Sequence, residues 1–347
     1  MNRTLQTVGT MASLLTLAAC LDPDEAGNLV PETVAEDPLL PAIEVNGTRL
    51  HSEAFGDIHN PLVVFLHGGP GSDYRALISQ KGQPNASRYP DERTVTGVGL
   101  SQLQDEYYCV FYDQRGAGLS PRFDSNDIDV DLYVDDLDAV IDYYLHRKKE
   151  ETGVLDDQVT LFAWSYGGVL ATTYINAYPE RVRDVAFYEP GPIDPAMWDY
   201  LADNVTSVFG QLDKDWLDEY LLSHDHITPD THSRFDYQMT LGAGRAFPEF
   251  HEDPNTPFWR IGAVVSTMGL DYGPSVNFDI TQNLDAFEGG VLVMAGALTV
   301  GELPGYIDLL RPHYPGFQYV EIADVGHTGP WEKADDVAAE IRSFLSR

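Results

Sequence analysis

Cationic side chains are scarce in this sequence. Over 347 residues, 21 Lys and Arg face 55 Asp and Glu, a formal net charge of −34. A surface that acidic repels nucleic acid and anionic membrane surfaces, so neither is expected as a direct partner. Cysteine is scarcer still, with only Cys20 and Cys109, which excludes a disulfide framework. Cys109 sits inside an apolar run and is expected to be buried. The mostly apolar segment at residues 8–19 is too short to cross a bilayer and has the length of a secretory h-region. Metal-ligand spacing is missing as well. His224, His226, His232 and His251 fit no closed zinc pattern, and the acids at 127–138 lack the glycine and spacing of an EF-hand loop. No internal repeat or low-complexity tract is present. What the chain has in quantity is apolar side chain, 43% of its residues. That fraction supplies a large core, so the acidity belongs to the surface and does not signal disorder.

Periodicity organises the rest. Residues 43–45 and 50–55 flank Asn46-Gly47, a two-residue hairpin signal. Buried-strand runs are predicted at 62–66, 107–112, 159–163, 185–188, 291–295 and 319–322. Helical spacing places Val134, Leu137, Val140, Ile141, Tyr144 and Leu145 on one face, and further helices are predicted over 169–178 and 333–346. Strands alternating with helices imply an α/β fold built on a mostly parallel sheet covered on both faces. Residues 191–285 interrupt the alternation and hold Trp198, Trp216 and Trp259; they are expected to form a mainly helical cap over the strands' C-terminal ends. The expected division is a leader (1–19), an acidic disordered tether (20–41), a core in two parts (42–190 and 286–347) and the cap (191–285).

Around Ser165 the chain passes from strand to helix, in Ala163-Trp164-Ser165-Tyr166-Gly167-Gly168. Small residues on both flanks permit a sharp turn that lifts the hydroxyl clear of its neighbours. The stretch resembles the nucleophile elbow of α/β-hydrolases, G-x-S-x-G, with Ala163 in place of the first glycine. At the N-terminus, Leu17-Ala18-Ala19-Cys20 resembles a bacterial lipobox. That resemblance implies cleavage before Cys20, acylation of its thiol and new amino group, and a lipid-anchored protein of the cell envelope. Leu21 follows the cysteine where an aspartate would favour inner-membrane retention, which points to the outer membrane.

A serine hydroxyl attacks only when a base removes its proton, and the base needs a third group to orient it. His327 follows the final strand, where this fold carries its general base. The acid is less regular: the position after residues 291–295 that usually holds Asp is here Thr299. Glu189, directly after the strand at 185–188, is the leading candidate, as in α/β-hydrolases that take their acid from that strand end; Glu302 and Asp308 remain alternatives. Backbone N–H groups of Gly69 and Tyr166 are expected to bind the oxyanion, His67 to brace its loop, and Asp113 with Arg115 to form an internal ion pair. Together, His67-Gly68-Gly69-Pro70-Gly71, Asp113-Gln114-Arg115-Gly116-Ala117-Gly118-Leu119-Ser120 and the elbow resemble the proline iminopeptidase branch of α/β-hydrolases. The resemblance covers about 42–190 and 286–347. It implies an acyl-enzyme serine hydrolase that needs no metal or organic cofactor and releases N-terminal residues from short peptides. An esterase or lactonase using the same residues, and a catalytically silent surface binding protein, are the other readings.

Overall fold

A computed structural model describes residues 22–82, 97–204, 227–228, 230–246, 258–275 and 279–347. Cys20, Trp216, His224, His226 and His251 lie outside the described residues. Eight strands form one sheet: β1 (Ala42–Val45), β2 (Thr48–Phe55), β3 (Leu62–Leu66), β4 (Tyr108–Tyr112), β5 (Val159–Trp164), β6 (Val182–Tyr188), β7 (Gly290–Gly296) and β8 (Gln318–Ile322). Their spatial order is β1-β2-β4-β3-β5-β6-β7-β8. β1 with β2 and β2 with β4 are antiparallel, and every other neighbouring pair is parallel. The chain reverses its direction of travel across the sheet between β3 and β5. In open α/β sheets the carboxyl ends of strands at such a switch point frame the ligand site. The loop after β3 is His67–Gly71 and the residue after β5 is Ser165, so topology brings both motifs to one place.

The elements follow from local chemistry. The hairpin turn is Asn46-Gly47, with φ of +44° and +73°, the left-handed pair that a two-residue turn requires. β3, β4 and β5 are buried along their whole length. Alternate residues serve the two faces. Val64, Leu66, Leu161, Ala163, Val185 and Phe187 pack with helices α1 (Val130–Thr152) and α2 (Tyr166–Ala177). Val63, Phe65, Phe162, Trp164, Ala186 and Tyr188 pack on the other face, against the C-terminal helix at residues 334–345. α1 opens on the Asp129 carboxylate, which accepts from Leu132 N at 2.8 Å, and closes on left-handed Gly153. It runs six residues beyond the stretch 130–146 over which the apolar periodicity predicts it. Lys148, on that extra turn, reaches Asn60 O at 2.7 Å and Asp156 at 2.6 Å. Cys109 is buried in β4, and burial pushes its thiol up.

Residues 22–41 correct the expectation of a disordered tether. Val30, Val34 and Leu40 are buried, Val34 N donates to Leu119 O at 2.8 Å, and Arg49 donates to Val34 O at 2.6 Å. The acidic composition implies a solvated stretch of chain, but three of its apolar side chains and some of its carbonyls find partners on the body. Asp24 pairs with Arg234 at 3.0 Å and Arg260 donates to Pro31 O at 2.9 Å.

Between β6 and β7 the described residues hold α3 (Pro195–Asn204), α4 (His232–Ala246) and α5 (Ala263–Ser275). α4 is fastened by Asp236, whose carboxylate accepts from Arg122 at 2.8 Å, Arg260 at 2.6 Å and Ala263 N at 2.8 Å. The C-terminal helix is α6 (Ala334–Leu345).

Candidate active site

Ser165 has φ +55° and ψ −120°, a conformation that non-glycine residues avoid and that costs about 1–3 kcal/mol. Its surroundings over-determine it. Ser165 N donates to Tyr188 O at 3.1 Å, and its carbonyl accepts from Gly168 N and Gly191 N, both at 2.8 Å. The glycines that follow are required by space: a Cβ on Gly167 would lie 2.4 Å from Leu66 O, and one on Gly168 2.4 Å from Pro190 Cβ. Ala163 is accommodated because its methyl points into the core beneath the sheet, where it is fully buried. α2 begins at Tyr166, three residues before the apolar periodicity predicts, because the two glycines are already helical. Its N-terminus therefore abuts the serine, and the helix dipole favours negative charge there.

Glu189 and His327, expected from the sequence as acid and base, meet in the structure. Glu189 follows β6 directly, also at positive φ (+41°), and its N–H donates to Met294 O at 2.9 Å. One carboxylate oxygen accepts from Gly296 N at 2.7 Å and the other lies 2.7 Å from His327 Nδ1. Glu189 is buried, while the His327 side chain keeps 31% of its surface open. The imidazole is thus held at Nδ1 by a buried carboxylate. Glu302 is exposed, and Asp308 is engaged with Arg311 at 2.8 Å.

Beside the elbow lies the His67–Gly71 loop. A Cβ on Gly68 would sit 3.1 Å from Ser165 Cβ, and Gly69, exposed at φ +131°, follows. His67 braces this loop: Nδ1 is 2.8 Å from Gly68 O, and Nε2 accepts from Gln114 N at 3.1 Å. Those two bonds require the neutral ring protonated at Nδ1. Burial lowers His67's pKa accordingly, against the opposing charge of Asp113. The start of α5 clasps the same loop, through Gly262 N, just before the helix, to Gly71 O at 2.7 Å and Ser266 Oγ to Pro70 O at 2.8 Å.

The expected Asp113–Arg115 ion pair is absent among the described residues, and each side chain has a different partner. Arg115 forks onto Asp136 in α1 at 2.7 and 2.8 Å. Asp113 instead binds His51 Nδ1 at 2.7 Å, Tyr74 N at 2.9 Å and Leu119 N at 2.7 Å. Both side chains are buried in one loop, but their charged or ring partners, His51 in β2 and Asp136 in α1, lie on other elements, so neither needs the other. Sequence reasoning also passed over Asp73, which takes the N–H groups of Trp259 and Arg260 at 2.6 and 3.0 Å. Burial, then the charge of Asp113, pushes Asp73 up to about 8. In a chain with 55 acids, no local signal separates such a residue from the surface carboxylates.

Comparison with known proteins agrees with this architecture. The α/β hydrolase fold family profile matches residues 61–334. A cis-3-alkyl-4-alkyloxetan-2-one decarboxylase from Shewanella oneidensis is 29% identical over 180 residues, 47% of this chain and 46% of that protein. A proline iminopeptidase from Xylella fastidiosa is 28% identical over 173 residues, 44% of this chain and 45% of that protein. The chain thus spans about half the length of these curated relatives. Among solved structures, an epoxide hydrolase from Bacillus megaterium in complex with an inhibitor superposes with a TM-score of 0.58 at 19% identity, covering 88% of this chain and 100% of the other. With the family profile spanning most of the sequence and the strand order and elbow in place, the chain belongs to the α/β hydrolase fold family.

Proposed function

We propose that the protein is a serine hydrolase working through an acyl-enzyme, and that it acts as a proline iminopeptidase-like aminopeptidase. The observation that carries the reading is the 2.7 Å contact between His327 Nδ1 and buried Glu189, just past the end of β6, the strand beside the one that leads into strained Ser165. Ser165 Oγ attacks the scissile carbonyl carbon while His327 Nε2 takes its proton, and Glu189 stabilises the imidazolium through the Nδ1–H bond. The oxyanion of the tetrahedral intermediate is bound by the N–H groups of Gly69 and Tyr166. His327 returns the proton to the leaving amine. Water then repeats the sequence on the acyl-enzyme, releasing the acid and restoring Ser165.

The peptide preference is supported by the motifs at 67–71 and 113–120 and by the proline iminopeptidases among the relatives. Residues 191–285 act in this reading as the cap that selects the substrate. Cys20 is the proposed site of lipid attachment, with the cell envelope, and the outer membrane within it, as the address. Because residues 22–41 lie against the body, such an anchor would hold the enzyme close to its membrane.

Turnover of a prolyl arylamide and of a short acyl ester, each compared between the protein and Ser165→Ala, tests the reading. Serine-dependent turnover favouring the arylamide supports it. Turnover of the ester alone assigns an esterase, and no serine-dependent turnover of either overturns the proposal.

A further inference from the structure

The turn that carries His327 leaves β8 and reaches the short helix Gly329–Glu332. Three successive carbonyls on it are taken by donors from three different strand ends. Val325 O accepts from Leu298 N, just beyond β7, at 3.0 Å. Gly326 O accepts from the Tyr188 hydroxyl at 2.7 Å, and His327 O accepts from Trp164 Nε1 at 2.9 Å. Trp164 ends β5 immediately before Ser165, and Tyr188 ends β6 immediately before Glu189. The two are direct register partners in the parallel ladder. Both are buried in the core cluster that includes Val325 and Trp331.

Packing alone does not call for these polar atoms, since phenylalanine would fill much of the same space. A buried indole N–H or phenol hydroxyl has to find an acceptor, and here both find the backbone of one turn. The geometry points to Trp164 and Tyr188 as positioning residues that hold the His327 backbone in fixed relation to Ser165 and Glu189. This assignment rests on the triad reading above. The place of the His327 ring depends on where its backbone sits as well as on the Glu189 contact at Nδ1. A misplacement of about 1 Å in a catalytic group can cost about 100-fold in rate. Each donor is covalently joined to the group that His327 must reach, so a shift of either strand end carries base, nucleophile and acid together.

The test uses Tyr188→Phe, Trp164→Phe and the double variant of the full mature chain, with kcat and KM on whichever substrate the protein turns over. Melting temperature and the ¹H and ¹⁵N resonances of the His327 ring are measured beside them. Each single variant is expected to lose about 10-fold in kcat with KM within about twofold, and the His327 Nδ1–H resonance is expected to broaden. The double variant should lose less than the product of the singles, because both donors hold adjacent peptide units. Unchanged kcat and an unchanged His327 resonance in a folded double variant would overturn the assignment. If Trp164→Phe does not fold, Tyr188→Phe decides alone, since it removes a single oxygen. If the wild type shows no Ser165-dependent turnover, the hydrolase reading falls, while the His327 resonance still decides the positioning claim.

Discussion

Replacing Asp236 by alanine should loosen the segment between β6 and β7 from the sheet domain. Asp236 is fully buried in α4 and is the shared acceptor of Arg122, in the loop after β4, and Arg260, just before α5. The two guanidiniums are themselves almost wholly buried, with 7% and 1% of their side-chain surface exposed. Removing the carboxylate leaves two like charges facing each other without solvent, and breaking a buried pair in this way costs about 3–5 kcal/mol. That is a large share of the roughly 5–15 kcal/mol that stabilises a typical protein. At about 2–4 °C per kcal/mol, the melting temperature should fall by roughly 6–20 °C. The acid limb supplies a second check. Burial alone would raise Asp236, but Arg122 and Arg260 outweigh it and hold the group below the ordinary carboxylate range. Its contribution is therefore present above the unfolded value of about 3.9 and is lost as pH falls through the folded value. The gap between wild type and variant should stay constant from neutral pH down to about pH 5 and close below about pH 4. Differential scanning calorimetry across that range measures both effects. A variant melting within about 1 °C of wild type at pH 7 would refute the reasoning.

Glu189→Gln should lower kcat by about 10³–10⁴-fold with the fold intact, whereas Glu302→Gln and Asp308→Asn should stay within about twofold of wild type in the same assay. Asp73 titrates far above its unfolded value, so the native state binds the extra proton and stability should decline as pH rises from about 4 to 8. Asp73→Asn should flatten that decline in urea titrations, and a decline of unaltered slope would count against it. Val34→Ser places a hydroxyl in a fully buried site and should cost about 2 kcal/mol by urea unfolding; an unchanged midpoint would mean that residues 22–41 contribute nothing to the fold. Stability should rise between 0.1 and 1 M sodium chloride, because salt screens the self-repulsion of a chain of net charge −34.

Much of the framework could be read directly, for reasons that differ by element. β3 begins and ends where its apolar run does, since both faces of that strand are covered, and Asn46-Gly47 marks a hairpin because left-handed φ angles select those residues. Ser165, Glu189 and His327 stood out by their offsets from strand ends, which are local properties of the chain. β6 starts three residues earlier than predicted because exposed Arg183 and polar Asp184 interrupt the apolar run without interrupting the ladder. Partners distant in sequence were not legible. Asp113 chooses His51 and Arg115 chooses Asp136, 62 and 21 residues away, and no spacing rule connects them. Composition hides the docking of residues 22–41, because burial of Val30, Val34 and Leu40 among many acids is enough to hold the segment against the body. The contacts of Trp164 and Tyr188 with the turn of His327 likewise span 163 and 138 residues and leave no local signal.

The central claim is that Ser165 is a nucleophile activated by His327 under the orientation of Glu189. Covalent labelling by a fluorophosphonate probe at pH 8 tests it most directly, comparing the protein with Ser165→Ala and Glu189→Gln. The account predicts rapid labelling of wild type, none of Ser165→Ala, and labelling of Glu189→Gln slowed by at least about 100-fold. Folded wild-type protein that fails to label, or Glu189→Gln that labels as fast as wild type, would contradict it.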